Sequence, residues 1–503
     1  MFLGSDSVKF IPSNSAFLAV AVLSAGYILT VIQGKIQGED ISSKSKASTA
    51  ARPSLPTPHP DGHYFGKPRP LSPGAKTSNW ESFLGPDHNS VSVETPLLKV
   101  WPQNGPILIW EVKKGSGFSG PAISRDRLVF FHRLESNETV ECLHPETGDL
   151  YWKFSYPSQY EDRYGYNNGP RSSPVIDQER VYTVGAEGKL YCLNIFTGEV
   201  IWKRDLHAEY RSPKTFFGMG STPLIEGDLL IVNVGAPEGP CIVAFDKRIG
   251  KTVWTAGDHW GPSYASPVPG TVQGRRRVFV FAGGESRPPT GGLLAIDLQS
   301  GKVDFEFPWR STSYESVNAS SPVIVQNQVF ISASYKTGSA LLNLLPNGSF
   351  SQAWTTREFG FHWNTPIVKN GYLYGFDGRN EPDASLVCVE LNTGKVVWRQ
   401  NPEWQETFVL NGAERSQLMG TYRGSLLWAD GNFLCLGELG HLLWLNLTPA
   451  GYKEMARARL FLARESWTLP VLSRGLLYVC QNSRDTLTGT GPRLLCYDLR
   501  GRK

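Results

Sequence analysis

The sequence predicts an all-β protein built as an eight-bladed β-propeller: four-stranded blades in a ring closed by an N-terminal strand, with one N-terminal apolar helix ahead of it. Three observations predict this. A phrase closing on Trp returns about every fifty residues. A second phrase, a small or polar residue followed by Pro and a short apolar run, returns in step with it. The composition, with 51 Gly, 35 Pro, 15 Trp and only 4 Met in 503 residues, suits many short strands between tight turns better than a helix bundle. Glycine has no three-residue period, which excludes collagen, and an apolar content of 40% excludes global disorder. A single long apolar run excludes a multi-span membrane protein.

That run, residues 16–32, is uncharged and opens the chain's first segment, 1–33. It reads as a signal-anchor or signal peptide, and as an anchor rather than a cleaved signal because no clear Ala-x-Ala site follows it. Residues 34–78 hold seven Pro and seven Ser and read as a flexible linker. They also carry seven basic and three acidic residues, which is the whole of the formal charge of +4. The folded part, expected over 79–503, is therefore near neutral, which argues against nucleic acid as a partner.

The closing phrase runs from Cys142 to Trp152 and from Cys192 to Trp202, then Ala244 to Trp254, Ala295 to Phe305 and Cys388 to Trp398, each with a Gly at its turn. A degenerate copy ends at Trp354. Glycine supplies the positive φ that a tight hairpin needs, and the Trp on the outer strand is expected to pack between blades. The opening phrase is Ser173-Pro174, Thr222-Pro223, Ser266-Pro267, Ser321-Pro322, Thr365-Pro366 and Leu469-Pro470; further openings are placed near Pro121 and Gly420, which gives eight units. The last unit ends at Leu499 without an outer strand, while an unmatched strand around Trp110 precedes the first. The N-terminus is expected to supply the missing strand and close the ring. Of seven Cys, five recur inside strand-like runs and are expected to be buried free thiols in separate blades.

The strand–Asp/Asn-x-x-Thr-Gly-x-x-x-Trp phrase resembles the repeat of pyrroloquinoline quinone (PQQ) dehydrogenases, shared by the non-catalytic propeller of the BamB type in outer-membrane barrel assembly. Within that superfamily the chain resembles exported PQQ-like repeat proteins, on Asn79–Pro86, Asn318–Pro322 and His362–Pro366. The resemblance covers nearly all of 79–503. It implies a propeller and a cell-envelope location on the periplasmic side, tethered to the inner membrane through 16–32. It also implies either a binding or scaffold module without catalysis, or a PQQ- and calcium-dependent dehydrogenase of alcohols or sugars.

The loops before each opening strand are expected to converge at one end of the central channel. From them Arg171, His259, Glu315, Asn318, His362, Asn364, Arg415 and Trp467 are the expected ligand- or cofactor-binding set, for a protein partner or small molecule. Their mixture suits an anionic or planar ligand, or calcium held by Glu315 and Asn318 oxygens; the alternative is a polar channel that holds water. In the dehydrogenase reading Arg171, Glu315 and Asn318 serve PQQ and calcium. The sequence has no vicinal Cys pair of the kind that packs on the quinone in alcohol dehydrogenases of that type, and no catalytic residue is assigned. Gly115-Ser-Gly117-Phe-Ser-Gly120 matches a dinucleotide fingerprint but leads into a strand, not the helix that such a site requires.

Overall fold

The computed structural model describes residues 55–501 apart from positions 103, 237, 381, 382 and 411. The apolar segment 16–32, and with it the expected anchor, lies outside the described residues. Among those described, no helix is long and apolar enough to cross a membrane, and the single α-helix is Leu206–Tyr210.

Among the described residues, eight antiparallel sheets form the ring expected. Seven blades are four consecutive strands, at 122–157, 175–205, 224–256, 268–308, 323–356, 367–400 and 425–459. In the eighth, Val471–Ser473, Leu476–Gln481 and Arg493–Asp498 are completed by Ile107–Lys113, so the N-terminal side of the chain closes the circle. The inner strands are short, mostly three residues after the Pro that opens them. Middle strands such as Leu476–Gln481 are buried along their whole length, whereas outer strands such as Val200–Asp205 stay accessible.

One local device recurs in all eight blades. The outer strand slips register by one residue just before its key position, as at Tyr151 between Leu150 and Trp152, and the bulge turns the next side chain toward the neighbouring blade. The residue paired with Trp is small where Cys142, Cys192, Cys388 and Cys496 face Trp152, Trp202, Trp398 and Trp110. This explains four of the recurring cysteines. All seven are buried and free.

Trp152 donates from Nε1 to the Ile195 carbonyl of the next blade at 2.8 Å, and Trp110, Trp202, Trp254, Trp354 and Trp398 make the equivalent bond. Gly198, in the turn of that next blade, has φ +73° and lies so close that a Cβ would come within 2.6 Å of the Trp152 ring. Gly148, Gly250, Gly301 and Gly394 sit the same way on Trp110, Trp202, Trp254 and Trp354.

Two features depart from expectation. First, Gly420 does not open the seventh blade. It ends a separate two-stranded hairpin, Glu403–Leu410 with Ala413–Gly420, and the blade begins at Ser425. Trp404, Phe408 and Met419 pack the hairpin onto the neighbouring blades, and Glu406 accepts from His441 at 2.7 Å and Arg459 at 2.6 Å. Asn-Gly at 411–412 between two strand-like runs is the sequence signal for such a hairpin. Second, the described part of the expected linker, 55–78, lies along the ring. Gly62–Tyr64 adds a fifth strand to the eighth sheet, His59 meets Glu141 at 3.2 Å and Arg69 meets Asp498 at 2.8 Å.

The following stretch, 80–92, crosses one end of the channel. It bonds to the inner strands of the first, second and seventh blades through Trp80 with Ile123, Glu81 with Ile176, and Ser90 and Ser92 with Trp428. The quoted motif Asn79–Pro86 is thus the start of a plug.

Gly198→Ala adds both a left-handed strain and a clash with Trp152, so it is expected to cost about 2–3 kcal/mol. Gly274 has φ +73° with open space around it, so Gly274→Ala is expected to cost only about 1 kcal/mol. Urea-unfolding midpoints of the two variants measure the difference.

Candidate functional site

At the end away from the plug, the inner strands start from a belt of hydroxyls. The Ser173 N–H donates to Thr222 Oγ1 (3.0 Å), Thr222 to Ser266 Oγ (3.0 Å), Ser266 to Ser321 Oγ (3.0 Å) and Ser321 to Thr365 Oγ1 (3.1 Å). Each small polar residue before a Pro therefore satisfies a buried N–H of the preceding blade. The belt surrounds a cavity of about 350 Å³ whose lining includes Thr222, Ser266 and Thr365.

Its floor is apolar: Phe83 and Leu84 come from the plug, joined by Val317, Leu426 and Leu469. Its walls are aromatic. Trp467 lies 5.5 Å from Trp363, 5.1 Å from Phe118 and 5.4 Å from Tyr166, measured between ring centres, and Phe217 lies 5.5 Å from Tyr264. Three arginines face it, and two are held by acids. Arg171 pairs with Asp162 and donates to the Phe217 carbonyl at 3.1 Å. Arg423 pairs with Glu438, which also accepts from Trp467 Nε1 at 2.9 Å. Arg379 lies over the Tyr335 ring at 4.4 Å. The connection between the first two blades reaches over the mouth, where Arg163 bonds Glu285 of the fourth blade at 2.8 Å.

Of the expected set, Arg171, Glu315, His362, Asn364 and Trp467 line this cavity. Glu315 stands exposed at the rim and accepts from Ser313 at 3.0 Å. Asn364 donates to the Gly424 carbonyl at 2.8 Å. His362 packs between Tyr335 and Trp363, and its Nδ1 is buried without a partner. Burial, with Arg379 and Arg423 nearby, pushes the imidazole down to about 3, so it is neutral at physiological pH.

The other three lie elsewhere. His259 is exposed beside Asp258 (2.5 Å) and Glu306 (3.4 Å), because its loop has only just left the outer strand Thr252–Ala256. Arg415 is exposed on the added hairpin, whose presence displaced the expected opening of the seventh blade. Asn318 is 1% exposed; its Nδ2 donates to the Ala282 and Trp309 carbonyls at 2.8 and 3.1 Å, and its Oδ1 is buried without a partner. It joins the fourth and fifth blades. Glu315 lines the cavity at its rim, whereas Asn318 lies outside the lining. Among the described residues no group of three or more His, Cys, Asp or Glu is arranged to hold a metal.

Sequence reasoning missed Tyr335 and Arg379. They lie in connections between second and third strands, which by strand parity reach the same end as the blade-to-blade loops. It also missed Arg423, next to the true opening at Ser425, because the hairpin shifted the register there.

The family model described as outer membrane protein assembly factor BamB matches residues 136–400. The dehydrogenase subunit of a quinone alcohol dehydrogenase from Gluconacetobacter polyoxogenes is 23% identical over 269 residues, 48% of this chain and 33% of that protein. The outer membrane protein assembly factor BamB of Burkholderia pseudomallei is 23% identical over 357 residues, 68% of this chain and 82% of that protein. This chain thus spans about a third of the dehydrogenase relative's length. The quinohemoprotein alcohol dehydrogenase of Comamonas testosteroni superposes with a TM-score of 0.56 at 12% identity, over 84% of this chain and 81% of that one, a likeness of fold.

The neutral His362 has a consequence for acid stability. The unfolded chain binds a proton below about pH 6.5 that folded His362 refuses, so its contribution is complete above 6.5 and is lost as pH falls toward 3. His362→Asn is expected to flatten that part of the pH dependence. Urea midpoints across the range check it, with His132, held to about 3 by burial, unchanged in both proteins.

Proposed function

Since the chain belongs to the family described as outer membrane protein assembly factor BamB, we propose that it is an exported cell-envelope propeller acting as a binding or scaffold module without catalysis, its ligand or partner engaging the open channel mouth. The observation that carries this reading is how the mouth uses its charges. Arg171 is neutralised by Asp162 and Arg423 by Glu438, while His362 stays neutral against aromatic rings. What remains is a shaped aromatic cavity rather than an acid and base poised over a reacting atom. The likeness to an outer membrane protein assembly factor supports a protein partner and an envelope location. The apolar run 16–32 is the segment that would tether it there.

The second reading, a PQQ- and calcium-dependent dehydrogenase, draws on the quinone alcohol dehydrogenase relative and on the paired Trp363 and Trp467. The residues fit it poorly. Asn318 lies outside the cavity lining, Glu315 is exposed at the rim, and every cysteine is buried. The two readings separate in one experiment: titration of the purified protein with PQQ and calcium, followed by dye-linked assay with alcohols and sugars. The expected result is neither bound-quinone absorbance nor dye reduction. Calcium-dependent dye reduction would overturn the non-catalytic reading.

A further inference from the structure

The cavity has an unusual division of surfaces, and that division speaks to what enters it. The plug lines it with Phe83 and Leu84, and the blade-to-blade loops line it with Phe118, Arg171 and Trp467. Below the belt a ligand meets Phe83, Leu84 and Leu469. A sugar or a hydrated ion placed there leaves polar groups unpaired, whereas an apolar body loses nothing. The rim is different. Arg171 and Arg423 are already neutralised, which leaves Arg379 as the lining arginine without a hydrogen-bond acceptor among the described residues. Its guanidinium is exposed but stacked on Tyr335 at 4.4 Å, which orients the planar fork. On the same wall Trp363 Nε1 is a buried donor without an acceptor. The rim carboxylate Glu315 opposes the binding of more than one negative charge.

Resting on the reading of this mouth as a binding site, we propose that the cavity takes a monocarboxylate with an aromatic or aliphatic body, the body on the Phe83–Leu84 floor and the carboxylate on Arg379. Two sources share that chemistry: a free small acid, or the C-terminal residue of a partner polypeptide. The site fits one acid group on an inserted apolar body, which distinguishes it from a planar tricarboxylate lying over a metal.

The test uses the full chain and calorimetric titration with 1-naphthylacetate, its neutral amide, and a short peptide ending in Phe with free or amidated C-terminus. The acid forms are expected to bind about tenfold more tightly than the amides, the strength of one charge-assisted contact. Arg379→Gln, an exposed substitution, is expected to abolish that preference, so that acids and amides bind alike. Ala319→Trp, which fills the cavity, is expected to remove binding of all four, with circular dichroism confirming the fold. Preference for the peptide acid points to a polypeptide terminus, and binding of naphthylacetate alone points to a small acid. Absence of saturable binding by either acid at millimolar concentration, equal affinity of acids and amides, or an acid preference that survives Arg379→Gln overturns the proposal. Each of those outcomes leaves the non-catalytic reading standing, since only quinone-dependent turnover removes that.

Discussion

Adjacent blades share no sheet hydrogen bonds around most of this ring, so cohesion rests on a side chain that can both bury area and fix a direction. An indole does both. Its face covers the turn glycine of the next blade, and its Nε1 donates to a carbonyl beside that turn, so the contact sets spacing and register together. The glycine has no substitute there, because its φ is positive and its Cβ position is occupied by the ring. The bulge before each Trp and the small residue paired with it serve the same contact.

The two exceptions show how strongly that contact constrains the rest. In the fourth blade Phe305 replaces Trp, and the joint becomes an aromatic pair with Phe350 at 4.7 Å. In the seventh blade the key position is Ala456. The indole comes instead from Trp444, paired across from it on the third strand, and donates to the Leu98 carbonyl at 3.0 Å. That joint is therefore made to the segment leading into the closing strand. The N-terminal side of the chain thus serves as strand, strap and plug around one weak sector.

The ring was legible because its causes are local and repeated: Thr-Gly turns, strand-opening prolines and Trp at a fixed spacing. Closure was legible for the same reason, since Trp110 matched the phrase the last blade lacked. The plug and strap were not, because Asn79–Pro86 and His59 act only through partners far along the chain, such as Trp428 and Glu141. The cavity was legible in part. Arg171, His362 and Trp467 line it, since loop order predicts which end they reach, while Asn318, whose Nδ2 donates to two carbonyls inside the fold, lies outside the lining.

The closing strand carries a further consequence, for the order in which the molecule can be made. Ile107–Lys113 leaves the ribosome before any blade, yet its partner Arg493–Asp498 is made only after the seven other blades. Until then the strand Ile107–Lys113 lacks its partner in the eighth sheet, and the pairing must close a loop nearly as long as the domain. Co-translational folding can stack blades in sequence but finishes the ring only once Arg493–Asp498 has emerged. The cavity inherits that timing, since its lining joins Phe83 and Leu84, which precede the first blade, to Trp467, Thr468 and Leu469, which follow the seventh. The lining of the cavity is therefore incomplete until the residues that follow the seventh blade have been made.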